Sequence, residues 1–130
     1  MPGRFLLDTH ALIWWWSDDD RLSSRARAVI ADRSQEVWVS AASVWEMRTK
    51  SRLGRLQGVP GLIETFESLI RRSGFQTLDI SWRHAYLAAA LEVDHQDPFD
   101  RMLVAQAKLE GLTLITSDAR MADFEVATLW

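Results

Sequence analysis

Short apolar runs alternate along this chain with longer segments whose apolar positions recur every three or four residues. The short runs predict β-strands, and they lie at Arg4–Asp8, Glu36–Ser40, Gln76–Ile80, Leu112–Thr116 and Val126–Leu129. Strands separated by helices imply right-handed crossovers and a mostly parallel sheet that is covered on both faces. The pattern therefore predicts an α/β fold with four or five strands.

Capping and breaking residues mark the ends of the helices between these strands. Serine or aspartate is a suitable N-cap, proline suits the first helical turn, and glycine ends a helix. A further helix after Ser81 is indicated by an apolar stripe that runs from Trp82 through Tyr86 to Val93. The signals predict helices from Ser40 to Leu53, from Pro60 to Arg72, from Trp82 onward, and from Asp97 to Gly111.

Length and composition are those of one globular domain spanning residues 1–130. The chain has no cysteine, which excludes disulfide scaffolds, thiol catalysis and thiolate-bound zinc. The apolar stretch from Ala11 to Trp16 is far shorter than the ~20 residues that a membrane span needs. We therefore expect a cytoplasmic protein with no membrane partner. The formal net charge of −3 by itself argues against a nucleic-acid ligand.

Acidic residues follow the predicted strands. Asp8 ends the first strand, Asp118 follows the fourth by two residues, and Glu46 lies on the helix that leaves the second. Asp97 and Asp100 open the helix that begins at Pro98. In a parallel sheet, ligands bind at the carboxyl ends of the strands, near the point where strand order reverses. We therefore expect these carboxylates to meet at one edge of the sheet.

Carboxylates that lie close together repel one another unless a cation neutralises them. A hard divalent ion such as Mg²⁺, or Mn²⁺ in its place, takes oxygen ligands of this kind. Such an ion can generate a nucleophile from water and stabilise a leaving oxygen. The set of acids thus favours metal-dependent phosphodiester hydrolysis. Each acid alone also has a structural explanation, above all Asp97 as an N-cap.

Two other classes of protein gather acids on a small parallel sheet. A phosphatase of the haloacid dehalogenase type needs a second aspartate two residues after the first, but His10 stands there. A response-regulator-type signalling domain needs an acidic pair after the first strand and a late lysine, whereas Asp8 is single and no lysine follows Lys108. A non-catalytic domain that binds Mg²⁺ for signalling, or binds a partner protein, remains the alternative to a nuclease.

Four segments, in this order, resemble the motifs of the PIN-domain family, and most closely those of its VapC-type ribonuclease toxins. They are residues 7–14 (LDTHALIW), 40–46 (SAASVWE), 95–107 (HQDPFDRMLVAQA) and 114–118 (LITSD). The resemblance implies a three-layer α/β/α domain and an endoribonuclease that depends on Mg²⁺ or Mn²⁺. It also implies cleavage by a metal-activated water, which leaves a 5′-phosphate and a 3′-hydroxyl.

The resemblance further implies roles for particular residues and partners. The family's catalytic, metal-binding acids correspond to Asp8, Glu46, Asp100 and Asp118. Asp97 is an auxiliary residue or only the helix cap, and Thr116 matches a hydroxyl position near the metal. The implied partners are an RNA substrate, a cognate antitoxin and a second copy of the chain. Removing the four acids from the 18 acidic residues leaves 14 against 15 basic ones, so the acidity is concentrated in the expected site.

Several residues near these motifs have both a functional and a structural interpretation. The basic run after Glu46 is either a track for RNA phosphates or a solvated helix face, and it comprises Arg48, Lys50, Arg52 and Arg55. Arg101 is expected to form a salt bridge that orients the acids. The three histidines, His10, His84 and His95, have no metal-ligand spacing and are expected to be structural or peripheral, with His10 nearest the site.

Three consecutive tryptophans, Trp14 to Trp16, lie in the first predicted helix. They cannot all face one way because successive helical residues are ~100° apart. At least one is therefore expected at the surface or in an interface, where it would contact a second copy or an antitoxin; a broad, partly buried helix face is the alternative.

Overall fold

The computed structural model describes residues 3–56, 61 and 65–130 of the chain. Its five strands form one sheet in the order β3-β2-β1-β4-β5, with every neighbouring pair parallel. The strands are β1 (Arg4–Leu7), β2 (Glu36–Ser40), β3 (Gln76–Leu78), β4 (Thr113–Ile115) and β5 (Thr128–Leu129). The predicted α/β fold with a parallel sheet is confirmed.

Helices connect these strands, and their ends follow the capping signals of the sequence. Within the described ranges they are α1 (Thr9–Trp16), α2 (Ser24–Ala31), α3 (Ala41–Arg52), α4 (Phe66–Ser73), α5 (Trp82–Ala90) and α6 (Pro98–Glu110), with a short 3₁₀ helix at Ala119–Phe124. The side chains of Ser40, Ser81 and Asp97 accept backbone N–H groups at the starts of α3, α5 and α6. Gly74 and Gly111 end α4 and α6 in the left-handed conformation, which glycine adopts without a Cβ penalty.

The sheet separates two apolar cores, which gives the three-layer arrangement. Successive residues of β1 point to opposite faces, so Leu7 enters one core and Leu6 the other. The first core is closed mainly by residues of α1 to α4, among them Leu12, Ile30, Met47 and Leu69. The second is closed mainly by α6 and the 3₁₀ helix, through Leu103, Val104, Met121 and Phe124. The central strand β1 is thereby buried on both faces.

Several predicted boundaries differ from those of the structure. The strand predicted to reach Ile80 ends at Leu78, and the last strand is only Thr128–Leu129. Both are edge strands, which pair with one neighbour instead of two. The first strand ends before Asp8, because that residue caps α1. The predicted helix start at Pro60 lies outside the described residues, and the described helix begins at Phe66.

The apolar stripe of α5 lies on the solvent side of that helix. Trp82 is 70% exposed and Tyr86 73% exposed, while the residues of α5 that are buried are His84 and Ala88. Val93 lies beyond the end of the helix. The spacing of the apolar residues predicted the helix α5 correctly. It did not reveal that α6 packs against the opposite face of α5, the face of His84 and Ala88.

The tryptophans of α1 are all half-buried at the margin of the first core. Trp14 packs edge-on against Trp130 with ring centroids 5.8 Å apart, Trp15 against Phe75 at 6.3 Å and Trp16 against Phe66 at 6.0 Å. The structure therefore shows a broad, partly buried aromatic face. In the described part of the chain, no helix is long and apolar enough to span a membrane.

Candidate active site

The chain changes direction across the sheet between β1 and β4, and Asp8 lies at this switch point. The strands β1, β2 and β3 follow one another to one side, after which β4 is added on the other side of β1. Adjacent crossovers then leave the sheet on opposite faces, which opens a crevice at the carboxyl ends of β1 and β4. Asp8 ends β1, and its backbone N–H bonds the Ile115 carbonyl of β4 at 3.0 Å.

The Asp8 carboxylate is buried and serves as the N-cap of α1. One of its oxygens accepts the Ala11 N–H at 2.7 Å, and only 6% of the residue is exposed. Burial raises the pKa of Asp8 from 3.8 to about 6, because desolvation disfavours the charged form. Hydrogen bonds from Thr116 and Ala11 lower the pKa and offset part of this effect. A buried carboxylate with a raised pKa is a frequent mark of a functional site.

Glu46 lies on the second turn of α3 and is 3% exposed. Its Oε2 accepts a hydrogen bond from the Lys50 ammonium, one turn later on the same helix. Its Oε1 is buried and has no hydrogen-bond partner in the described part of the chain. Because an unsatisfied buried carboxylate oxygen is costly, this oxygen is suited to bind a cation.

Asp97 and Asp100 stand on the first turn of α6 and have different roles in the fold. Asp97 Oδ1 accepts the N–H groups of Phe99 and Asp100 at 2.9 and 3.1 Å, so Asp97 is the helix cap. Asp100 Oδ2 lies 2.9 Å from His95 Nε2. Burial raises the pKa of Asp100, the His95 contact lowers it, and the charges of Asp97 and Glu46 raise it further.

Asp118 follows β4 and begins the 3₁₀ helix. Arg120 binds it through two nitrogens, at 3.0 and 2.7 Å. This guanidinium holds the pKa of Asp118 below its usual value. The Asp118 N–H donates to the Thr116 hydroxyl at 3.1 Å, so Thr116 joins the loops that carry Asp118 and Asp8.

These acids line one cavity of about 150 Å³, here called the acid cavity. All five expected carboxylates are at its wall: Asp8, Glu46, Asp97, Asp100 and Asp118. The structure therefore brings together the carboxylates that the sequence predicts at one edge of the sheet. The wall also includes His10, Lys50 and Arg120.

Two basic side chains in the acid cavity differ from what the sequence suggested. The basic run that contains Lys50 has two interpretations, a track for RNA phosphates or a solvated helix face, but the Lys50 ammonium pairs with Glu46 at the cavity wall. The i, i+4 spacing of the two residues is a local signal that could have shown this. Arg120 was not singled out at all, although it follows Asp118 by two residues. The chain itself supplies two of the cations that neutralise its acids.

Arg101 and His95 also have roles that sequence reasoning missed. The expected salt bridge of Arg101 to the acids is wrong. Its guanidinium donates instead to four backbone carbonyls, those of Ala88, Leu91, Val93 and His95. Arg101 thereby shapes the segment before α6 and helps place His95, which contacts Asp100 directly. These contacts cross a folded loop, so residue spacing does not disclose them.

The donor set fits a hard divalent cation. It is made of carboxylate oxygens and the Thr116 hydroxyl, which are ligands that Mg²⁺ and Mn²⁺ accept, and Glu46 Oε1 lacks any partner among the described residues. As the side chains stand, no three His, Asp or Glu groups of the described ranges converge closely enough to hold an ion. Glu46, Asp118 and Asp100 turn instead toward Lys50, Arg120 and His95. Binding a metal therefore requires local side-chain rotation.

Comparisons with known proteins show the family and the fold of this chain. A PIN domain family model matches residues 5–127. Ribonuclease VapC22 of Mycobacterium tuberculosis is 31% identical over 117 residues, which is 89% of this chain and 88% of that protein. The structure of FitAB bound to an IR36 DNA fragment matches with a TM-score of 0.69 at 25% identity, covering 96% of this chain and 93% of that one. VapBC2 from Rickettsia felis, bound to a promoter DNA fragment, shares the fold: its TM-score is 0.68 at 11% identity, with 96% of each chain covered.

Proposed function

Because this chain belongs to the PIN-domain family, we propose that it is a metal-dependent endoribonuclease and the toxin of a toxin–antitoxin pair. The observation that carries the proposal is the acid cavity, in which Asp8, Glu46, Asp100 and Asp118 meet at the carboxyl ends of β1 and β4. The similarity to ribonuclease VapC22 over most of both chains supports RNA as the substrate.

In this proposal, Asp8, Glu46, Asp100 and Asp118 hold Mg²⁺, or Mn²⁺ in its place. When bound, such an ion lowers the pKa of water and stabilises charge on the leaving oxygen. Thr116 orients Asp8 through its hydroxyl, and Asp97 keeps the first turn of α6 in position for Asp100. Asp97 is thus an auxiliary structural residue.

The basic side chains act on the RNA in this proposal. Lys50 and Arg120 lie at the wall of the acid cavity, where they form ion pairs with Glu46 and Asp118. In this proposal each side chain turns from its carboxylate to an RNA phosphate when the substrate binds. The basic run of Arg48, Lys50, Arg52 and Arg55 is proposed to bind RNA phosphates outside the metal site. Phosphate contacts of this kind position the substrate and make binding salt-dependent.

The decisive test is an RNA cleavage assay with the purified chain, free of any partner. We expect cleavage with Mg²⁺ or Mn²⁺, loss of cleavage with EDTA, and recovery when excess Mg²⁺ is restored. The products should carry a 5′-phosphate and a 3′-hydroxyl, which end-specific ligation detects. Absence of cleavage under all metal conditions, with the protein folded, would favour the non-catalytic alternative, in which the domain only binds Mg²⁺ or a partner.

Two protein partners complete the proposal. The first is an antitoxin, since solved relatives include a toxin–antitoxin complex from Klebsiella pneumoniae and VapBC2 bound to DNA. The second is another copy of the chain, which we place on the outer face of α5. Trp82 and Tyr86 are exposed there beside Ala85 and Ala89, whose small side chains permit close helix approach. Antiparallel pairing of two α5 helices would bring Arg83 at one end toward Glu92 at the other.

Replacing Tyr86 with glutamate is expected to convert a dimer into a monomer, because a buried charge without a partner is costly. Sedimentation velocity at several concentrations measures this change. Tyr86→Phe keeps the aromatic contact and serves as the matched control. A Tyr86→Glu protein that sediments like its parent would place the dimer contact elsewhere.

A further inference from the structure

A second cavity, of about 300 Å³, opens beside the acid cavity. It is called the basic cavity here, and its polar and aromatic wall consists of Thr9, His10, Trp14, Arg21, Lys50 and Arg55. Thr9, His10 and Lys50 belong to the walls of both cavities, so the two cavities are adjacent. A nucleotide chain bound at the acids therefore has the basic cavity within reach.

The charges on the two sides of the acid cavity are opposite. Among the residues that the structure describes, three cationic side chains and no carboxylate line the basic cavity. On the other side, a cavity of about 510 Å³ is lined by four carboxylates against Arg120 and His95; they belong to Asp94, Asp97, Asp100 and Asp123. A polyanion that passes over the acids is attracted to the first side and repelled by the second.

The basic cavity also offers aromatic rings, those of His10 and Trp14. The His10 and Trp14 rings lie with centroids 5.6 Å apart and planes inclined by 34°. His10 is exposed, and Arg21 lies over the Trp14 ring, 5.0 Å from its centroid. Aromatic rings and arginine planes are the surfaces on which unpaired bases stack, whatever their sequence. The cavity thus offers aromatic rings for the base of a nucleotide and cationic groups for its phosphate.

We propose that the basic cavity binds the nucleotide next to the scissile phosphate, with its base against His10 and its phosphate at Arg55 and Lys50. The inference rests on the proposed ribonuclease function and adds the side from which the RNA enters. Arg21 is held by Asp19 through two nitrogens and Lys50 by Glu46. Arg55 pairs with no carboxylate in the described part of the chain, so it is the cation best able to bind a phosphate there.

The test measures RNA binding separately from cleavage. Binding of a fluorescent single-stranded RNA is followed by anisotropy in an Asp8→Asn background, so that the RNA stays intact. Adding Arg55→Gln is expected to weaken binding about 5- to 10-fold at low salt and to reduce the salt slope by about one. Arg25→Gln, which removes the same charge from the exposed side of α2, is the matched control and should leave both unchanged.

A second variant tests the base-stacking part. His10→Ala is expected to weaken binding about 5-fold or more, since it removes the ring against which the base stacks. An RNA with 2-aminopurine next to the cleavage site reports the stack directly. Its fluorescence should be quenched by the Asp8→Asn protein and less so after His10→Ala.

Failure of this inference is distinct from failure of the proposed function. If the unsubstituted protein cleaves RNA but Arg55→Gln and His10→Ala bind RNA as tightly as Arg25→Gln, the basic cavity is not the nucleotide site. If the unsubstituted protein does not cleave RNA with Mg²⁺ or Mn²⁺, the ribonuclease proposal itself fails, and this inference falls with it.

Discussion

Replacing Asp8 with asparagine is expected to lower the rate of RNA cleavage by at least about 100-fold. Substituting a residue that only supports a metal ligand usually lowers activity by about 10- to 100-fold, so the loss expected here is larger. Asp8 is the acid at the centre of the switch point, buried between the strands β1 and β4. Asparagine keeps the shape and the oxygen that caps α1 but removes the negative charge that would hold the cation. Single-turnover cleavage of a defined RNA in Mg²⁺ measures the effect.

The free energy of unfolding shows whether this variant is folded. It should increase at neutral pH, although the rate of cleavage decreases. The pKa of Asp8 is about 6 in the folded protein and 3.8 without burial. The folded state therefore keeps a proton that the unfolded state has released, and metal-free stability falls as pH rises from about 4 through 6. The loss reaches about 3 kcal/mol above pH 6.

Asparagine does not titrate, so the Asp8→Asn protein should be more stable than its parent at pH 8 in EDTA and nearly equal to it at pH 4. Urea unfolding at the two pH values measures the difference. A variant that cleaves RNA as fast as the parent would refute the role of Asp8. A variant less stable than its parent at pH 8 would contradict the raised pKa of Asp8 in the folded protein.

Replacing Arg101 with methionine is expected to cost about 3 kcal/mol of unfolding free energy, because charge-assisted hydrogen bonds contribute more than neutral ones. Its guanidinium donates to carbonyls of Ala88, Leu91, Val93 and His95, so its loss leaves these acceptors to water or without a partner. The segment that carries His95 should loosen, and the contact of His95 with Asp100 with it. Thermal unfolding should show a decrease of roughly 10 °C.

The matched control is Arg71→Met, which removes an exposed arginine that pairs with Glu67 one turn earlier on α4. Exposed pairs of this kind contribute about 0.5 kcal/mol or less. Equal destabilisation by the two substitutions would show that Arg101 does not organise the loop. Methionine keeps most of the apolar stem, so the comparison isolates the guanidinium.

Residues whose signals are local were predicted well. Ser40, Ser81 and Asp97 cap helices because a side chain reaches the backbone only two or three residues away. Boundaries at the sheet edges were predicted less well. The strands β3 and β5 are shorter than the predicted runs, which extend to Ile80 and begin at Val126. Both are edge strands, and an edge strand has only one neighbour to pair with. The helical spacing of the apolar residues in α5 also did not show that Trp82 and Tyr86 face solvent.

Strand ends in a parallel sheet share one edge, so the sequence by itself placed five acids at that edge: Asp8, Glu46, Asp97, Asp100 and Asp118. The resemblance to the PIN-domain family singled out four of them, Asp8, Glu46, Asp100 and Asp118. Tertiary structure decided what each acid contacts. The loop before α6 brings His95 to Asp100, and Arg101 proved to bind carbonyls instead of acids. Packing of α1 beside α3 placed His10, Trp14 and Arg55 around one cavity. Such contacts depend on which faces pack together, and that choice is made by the whole chain.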